Sequence, residues 1–327
     1  MGNDAAMTPN PPSPPCSPLV SAELPLHILA ARQGGIVTRE QALASGLTPR
    51  RIRTMVQRGD WASPFRGLFH VEGPSTDGAL PLLARLWAGH LRAGPQSVVG
   101  LGSAARVLGL QGLPEGLEAA DLVLPPGRAR RRAPGLHLHY WPLGAGELTR
   151  LGRLPLTDPV RTLADTLLHL PQGADRARGL ALLDSALHRR LIAPADLPSV
   201  ERAIRGRPGA AAMTRLLPLA DGRAGSPLES HIRLLCLDAD LPPDHLQYRI
   251  RDAGGRCRAI VDLAWTRGLA RPLFVEADDD SSPDRRVQNQ VERLTDARLL
   301  RYTWPDVQEA EGRRVTEELR ATLHSCR

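Results

Sequence analysis

The chain contains no lysine: all 42 of its basic residues are arginine. Catalysis by a lysine ammonium, by a lysine Schiff base or by a phosphate-loop lysine is thereby excluded. Cysteine is scarce, and Cys16, Cys236, Cys257 and Cys326 form no C-x-x-C pair, which argues against a zinc ribbon, a redox dithiol or a disulfide framework. A reduced, cytoplasmic setting is the expectation. Aromatic residues make up only 3% of the chain, which leaves few platforms for stacking unpaired bases and favours duplex or protein partners. No apolar run approaches the ~20 residues needed to cross a bilayer. Residues 1–20 lack the basic and apolar regions of a signal peptide.

What the chain does have is charge of one sign in excess. With 327 residues and 42% hydrophobic content it is long enough for two or three folded domains. A formal charge of +7 favours a polyanionic partner. Residues 1–20 carry Pro9, Pro11, Pro12, Pro14, Pro15 and Pro18 among Asn and Ser, a composition expected to remain a disordered arm.

Residues 21–75 are expected to form a winged helix-turn-helix. An apolar helix over 24–33 meets the Gly34-Gly35 break. Thr38 with Gln41 has capping-box spacing for a second helix ending at Gly46, and Thr48 caps a third over 49–58. Trp61 to Val71 then reads as a small hairpin. In such a unit the third helix enters the major groove and the wing touches the flanking backbone. Arg50, Arg51, Arg53 and Arg66 are the candidate contacts to double-stranded DNA; the alternative is that they solvate a small helical domain.

Residues 76–222 are expected to form a mixed α/β middle domain. Leu80, Leu83 and Leu86 recur at helical spacing, as does the stretch 103–108, and residues 121–124 and 136–140 read as strands around an Arg128–Arg132 cluster. His137 and His139 share a strand face with no acidic or Cys partner near in sequence, so they read as ordinary surface or half-buried histidines. Asp165 and Asp184 lie on helices, each with a His four residues on, which an i,i+4 face pair explains as well as any chemistry. Residues 205–222, rich in Gly, Pro and Arg, read as a hinge.

A last domain, 226–327, carries the chemistry. Ser226-Pro-Leu-Glu229 starts a helix, so Glu229 is either a cap or a site residue. The order that follows is helix, three-strand meander, helix, strand: a small mixed sheet flanked by helices, within an overall α+β chain. In Phe274-Val-Glu276-Ala-Asp278, Glu276 and Asp278 alternate onto one face. With Asp262 of Val261-Asp262-Leu263 they offer oxygen ligands suited to Mg²⁺. Asp279, Asp280 and Asp284 read as an acidic turn.

Two resemblances attach to these motifs. The stretch GGIVTREQALASGLTPRRIRTMVQRGDW with RGLFHV is similar to the winged helix of AbiEi-type antitoxins, and LPLTDPVRTLADTL with ALLDSALHRRLI resembles their middle region. SPLES, VDLAW, FVEADDD and LLRYTW resemble the Vsr-like branch of the PD-(D/E)XK nuclease superfamily, which implies a restriction-endonuclease-like fold for this domain. The second resemblance implies Asp262 and Glu276 as metal ligands, Asp278 in the place that Lys takes in the named motif, and Glu229 as the helix carboxylate facing the site. Asp279 replaces the usual Gly, and Ser281-Ser282 stand where a His follows, which removes a proton donor or phosphate contact. Together the resemblances imply a Mg²⁺-dependent DNA endonuclease or, alternatively, a non-enzymatic transcriptional regulator. The latter would be the antitoxin of a type IV toxin–antitoxin pair, with a toxin protein as partner.

Overall fold

The computed structural model describes residues 24–73, 79–114, 119–127, 134–170, 175–278, 285–308 and 311–327. The N-terminal arm, Arg128, Arg130, Arg131, Arg132, Asp279, Asp280, Ser281, Ser282 and Asp284 lie outside the described residues. Contacts divide the chain into two units, Met1–Ala104 with Gly116–Asp158, and Ala105–Glu115 with Pro159–Arg327. Residues 76–222 therefore contribute to both.

The first unit begins with α1 (Leu26–Arg32), β1 (Ile36–Thr38), α2 (Arg39–Ala44), α3 (Pro49–Gln57), β2 (Ala62–Phe65) and β3 (Leu68–His70). Thr38 closes the anticipated capping box: its Oγ1 accepts from the Gln41 amide at 3.1 Å, and Gln41 Oε1 accepts from the Thr38 amide at 2.8 Å. Strand β1 was not legible in the sequence. Three residues are too short for an alternating signal, and its hydrogen bonds come from β3, with Ile36 opposite His70 and Thr38 opposite Leu68. Gly35 has φ +85°, and a Cβ there would lie 2.6 Å from His70 Nε2, so only glycine fits this turn. The sheet order β1-β3-β2 with three helices is the element order of a winged helix. Ala30, Val37, Ala42, Ile52, Trp61 and Phe69 form its core.

Next come α4 (Leu82–Ala93), β4 (Val98–Val99), α5 (Leu101–Val107), β5 (Ala120–Leu124), β6 (Leu136–Tyr140), β7 (Leu148–Leu151) and β8 (Leu154–Thr157). The strands make one sheet of order β6-β5-β4-β8-β7, against which α4 lays Gly89 on Leu122 and Leu136. Sequence reading missed β4, β7 and β8. The first has two residues, and Pro155 in the last removes the pattern by which a strand is recognised.

The second unit opens with α6 (Pro159–Leu168), α7 (Asp175–His188), α8 (Leu197–Ile204) and α9 (Ala210–Thr214), packed on Leu163, Leu167, Leu182, Leu183, Val200 and Ile204. The hinge expected over 205–222 is instead a packed segment, because Met213, Leu216 and Leu217 belong to this core. Glycine and proline there shape a tight path and do not loosen it.

The chain continues through α10 (Pro227–Asp238), β9 (His245–Arg251), β10 (Cys257–Trp265), β11 (Leu273–Ala277), α11 (Arg285–Leu294), β12 (Arg298–Tyr302), α12 (Trp304–Val307) and α13 (Gly312–Ser325). Strands β9, β10 and β11 are antiparallel neighbours, while β12 pairs parallel to β11, as the crossover through α11 requires. The helix, three-strand, helix, strand order read from the sequence is the observed order. Leu228, Ile232 and Cys236 of α10 pack on Leu263, Leu273 and Val275, and Val291 of α11 packs with Ile250, Val261 and Phe274. The chain is α+β.

Candidate functional site

Register alone builds an acidic row across the last sheet. Leu263 pairs with Val275, which sets Asp262 opposite Glu276, and Glu276 in turn pairs with Arg301 of β12. On the other side Leu246 pairs with Leu263 and Tyr248 with Val261, so Gln247 lies opposite Asp262. Glu229 reaches this row from the first turn of α10. The helix starts where Ser226 Oγ accepts from the Glu229 amide at 3.2 Å. The Glu229 carboxylate does not close the expected capping box: its Oε2 accepts from the Gly225 amide and from Gln247 Nε2, each at 2.9 Å.

Asp262 is held from two sides, with Oδ1 accepting from Gln247 Nε2 at 2.9 Å and Oδ2 from the Ala277 amide at 2.8 Å. Asp278 lies past the end of β11, and its Oδ2 accepts from Arg301 Nη1 at 3.2 Å. Glu229 thus joins Asp262 through Gln247, and the charges of both Glu229 and Asp278 act on Glu276. Glu276 Oε1 is buried with no hydrogen-bond partner. A buried acceptor left unsatisfied costs about 1–3 kcal/mol.

The electrostatics agree. Burial, then the Asp262 charge, push Glu276 up to about 8, with Glu229 and Asp278 adding and Arg301 opposing. Burial, then Asp262, push Glu229 up to about 7. Buried carboxylates that face like charges hold protons. For Mg²⁺, which takes one or two carboxylates and completes its shell with water and substrate oxygens, Asp262 and Glu276 are a fitting pair. A set of three or more such ligands is not assembled among the described residues.

These two carboxyls have folded values above their ordinary 4.5. Stability contributed by their protonated forms is complete below that value and is lost as pH rises through about 7 and 8. Glu276→Gln removes the proton that must otherwise be lost. Its stability relative to wild type should grow by about 2 kcal/mol between roughly pH 5 and 8 in protein stripped with chelator, after allowance for water at the half-buried carboxyl. Thermal melts at both pH values check this, and parallel curves would contradict it.

Other sequence candidates part company. Asp165 pairs with Arg161 Nε at 2.7 Å and Arg207 Nη1 at 2.6 Å, while His169 Nδ1 meets the Asp165 carbonyl. Asp184 accepts from the Asp221 amide, Ser230 Oγ and Arg233 Nη2, each at 2.7 Å, and His188 faces the Gly222 carbonyl. Neither i,i+4 Asp–His pair forms between side chains. His137 and His139 do have an acidic neighbour after all. Strands β5 and β6 pair with Asp121 opposite His137, and Asp121 Oδ1 lies 3.3 Å from His137 Nδ1 and 3.4 Å from His139 Nε2. Parallel pairing across 16 residues of chain is invisible to local spacing.

At the other candidate site, Thr48 Oγ1 caps α3 by accepting from the Arg51 amide at 3.2 Å, and Pro49 opens the first turn. Ile52 is buried, whereas Arg50, Arg51 and Arg53 are exposed. Arg66 is exposed at the wing turn, next to Gly67 with φ +80°. The helix therefore offers arginines on a face that the winged-helix core leaves to solvent.

No helix among the described residues is long and apolar enough to cross a membrane. The family model for the transcriptional regulator, AbiEi antitoxin, matches residues 26–70 and so bears on the N-terminal element. A solved structure, the RV2827C protein from Mycobacterium tuberculosis, matches with a TM-score of 0.39 at 20% identity, covering 62% of this chain and 79% of that one. Two Mycobacterium tuberculosis proteins, uncharacterized protein MT2308 of strain CDC 1551 and uncharacterized protein Rv2248 of strain H37Rv, are each 34% identical over 219 residues, spanning 67% of this chain and 75% of the relative. This chain belongs to the family of those mycobacterial proteins, and its residues 26–70 resemble the transcriptional-regulator domain of AbiEi antitoxins.

Proposed function

We propose that the protein is a transcriptional regulator that grips duplex DNA through α3 and the β2–β3 wing, acting as the antitoxin of a type IV toxin–antitoxin pair. The observation that carries this reading is the match of the AbiEi antitoxin family over residues 26–70, on an element whose third helix exposes Arg50, Arg51 and Arg53. The arginines meet phosphates and guanine edges, and Arg66 meets the backbone beside the groove. A net charge of +7 supports long-range attraction to DNA. Anisotropy titration of the intact chain with the duplex upstream of its own gene tests the reading. Affinity should fall steeply with salt, and a salt-independent or absent signal would remove it. A toxin partner is tested by co-expression with the neighbouring gene product.

A second reading, Mg²⁺-dependent cleavage of DNA by a Vsr-like domain, is favoured by one observation: Glu229, Asp262 and Glu276 share a row in which a buried Glu276 oxygen lacks a partner. Asp262 and Glu276 would hold the cation, which supplies Lewis-acid stabilisation and an activated water. Glu229 steadies Asp262 through Gln247, and Arg301 donates to Asp278. The expected result is plasmid nicking by wild type with Mg²⁺ and at least a hundredfold loss, roughly, in Glu276→Ala. No nicking by wild type leaves the regulator reading standing alone.

A further inference from the structure

Gln247 lies between two carboxylates and has a backbone that an unconstrained glutamine would avoid. Its φ is +54°, in the left-handed region that costs a non-glycine residue roughly 1–2 kcal/mol. Strain of this kind persists where surrounding contacts over-determine it, and such positions gather at functional sites. The contacts here are specific. One side-chain nitrogen, Nε2, donates to Glu229 Oε2 and to Asp262 Oδ1, both at 2.9 Å. A carboxylate only accepts, and an amide nitrogen carries two protons, so the amide has one orientation that satisfies both neighbours.

We infer that Gln247 is a positioning residue whose amide clamps Glu229 of α10 to Asp262 of β10, holding two mutually repelling carboxylates in place beside Glu276. The left-handed backbone at residue 247, inside β9, aims the amide between them. Because each carboxylate oxygen has two lone pairs, Asp262 Oδ1 can keep the amide proton and still ligate a cation. The clamp thus pre-assembles the acidic row.

The inference rests on the cation reading of the row only for its consequence, not for the clamp itself, and the test separates the two. In metal-free intact protein, the Gln247 side-chain amide resonances are assigned by their disappearance in Gln247→Gly. They should lie away from free-amide positions and move on both Glu229→Gln and Asp262→Asn. Resonances at free-amide positions, unmoved by either substitution, would overturn the clamp. Mn²⁺ is then titrated calorimetrically into wild type, Gln247→Gly and Gln247→Ala. Loss of an outer-sphere partner of this kind lowers metal affinity by about tenfold or more, so both variants should bind Mn²⁺ at least that much more weakly.

Gln247→Gly relieves the left-handed backbone, which offsets part of the loss of its two hydrogen bonds, and titration at a temperature where melts show every variant folded keeps weaker Mn²⁺ binding from being assigned to unfolding. A residue that served only the turn would leave Mn²⁺ affinity unchanged in Gln247→Gly, and that result would overturn the positioning role. If wild type takes up no Mn²⁺, the cation reading falls while the amide resonances still decide for or against the clamp.

Discussion

Replacement of Arg50, Arg51 and Arg53 together by alanine is expected to lower affinity for duplex DNA by about a thousandfold near physiological salt, taking roughly 1–1.5 kcal/mol per lost contact. The slope of log affinity against log salt should flatten by about 0.9 for each phosphate contact removed. The fold should survive. Ile52, Met55 and Val56 carry the packing of α3, the three arginines are exposed, and alanine is the better helix former. A circular dichroism spectrum and melting temperature like those of wild type, with the binding loss, assign α3 as the recognition helix. Unchanged affinity would move recognition elsewhere in the chain. Arg66→Ala at the wing should cost less, about tenfold, because it removes one backbone contact and leaves the groove contacts in place.

Asp184→Ala should destabilise the second unit by about 3–5 kcal/mol, because it strands a buried arginine. The Asp184 and Arg233 side chains are 1% and 7% exposed, and the carboxylate receives Arg233 Nη2, Ser230 Oγ and the Asp221 amide. Arg233 Nη1 continues to the Leu219 carbonyl at 2.7 Å. Removal of the carboxylate leaves a guanidinium half-satisfied in a dry place, and the melting temperature should fall by roughly 10 °C. A change of less than about 1 kcal/mol would mean that water replaces the lost partner. The consequence reaches the acidic row. Ser230 and Arg233 stand on α10 beside Glu229, so Asp184 on α7 sets the rotation of the helix that delivers Glu229 to Gln247. Loss of that anchor should weaken whatever the row binds along with the fold.

The two functional regions differ in how they are built. The arginines of α3 need only a capped helix and a buried Ile52 to be presented, and a solvated guanidinium finds its own phosphate. The acidic row instead needs four chain segments in register, because carboxylates that repel one another stay together only under backbone and amide constraint. For that reason substitution of an exposed arginine should act on binding alone, whereas changes at Asp262, Glu276 or Gln247 should act on protonation, metal affinity and stability at once.

The sequence by itself determined the local elements: helices start at Thr38, Thr48 and Ser226 because each side chain accepts from an amide three residues on. It also determined the strand order of the last sheet and the exposure of Arg50, Arg51 and Arg53, since periodicity and caps act within a few residues. Only the tertiary structure decided which distant groups meet. Strand β1 exists because β3 supplies its hydrogen bonds, Asp121 finds its histidines through parallel pairing, and Asp165 and Asp184 find arginines 42 and 49 residues away in place of the histidines four residues on. Glu229 is tied to Asp262 because Gln247 on β9 bridges the two, and Asp278 meets Arg301 because β12 runs beside β11. Charge and hydrogen-bond pairing depend on distance in space, and a one-dimensional pattern records distance only along the chain.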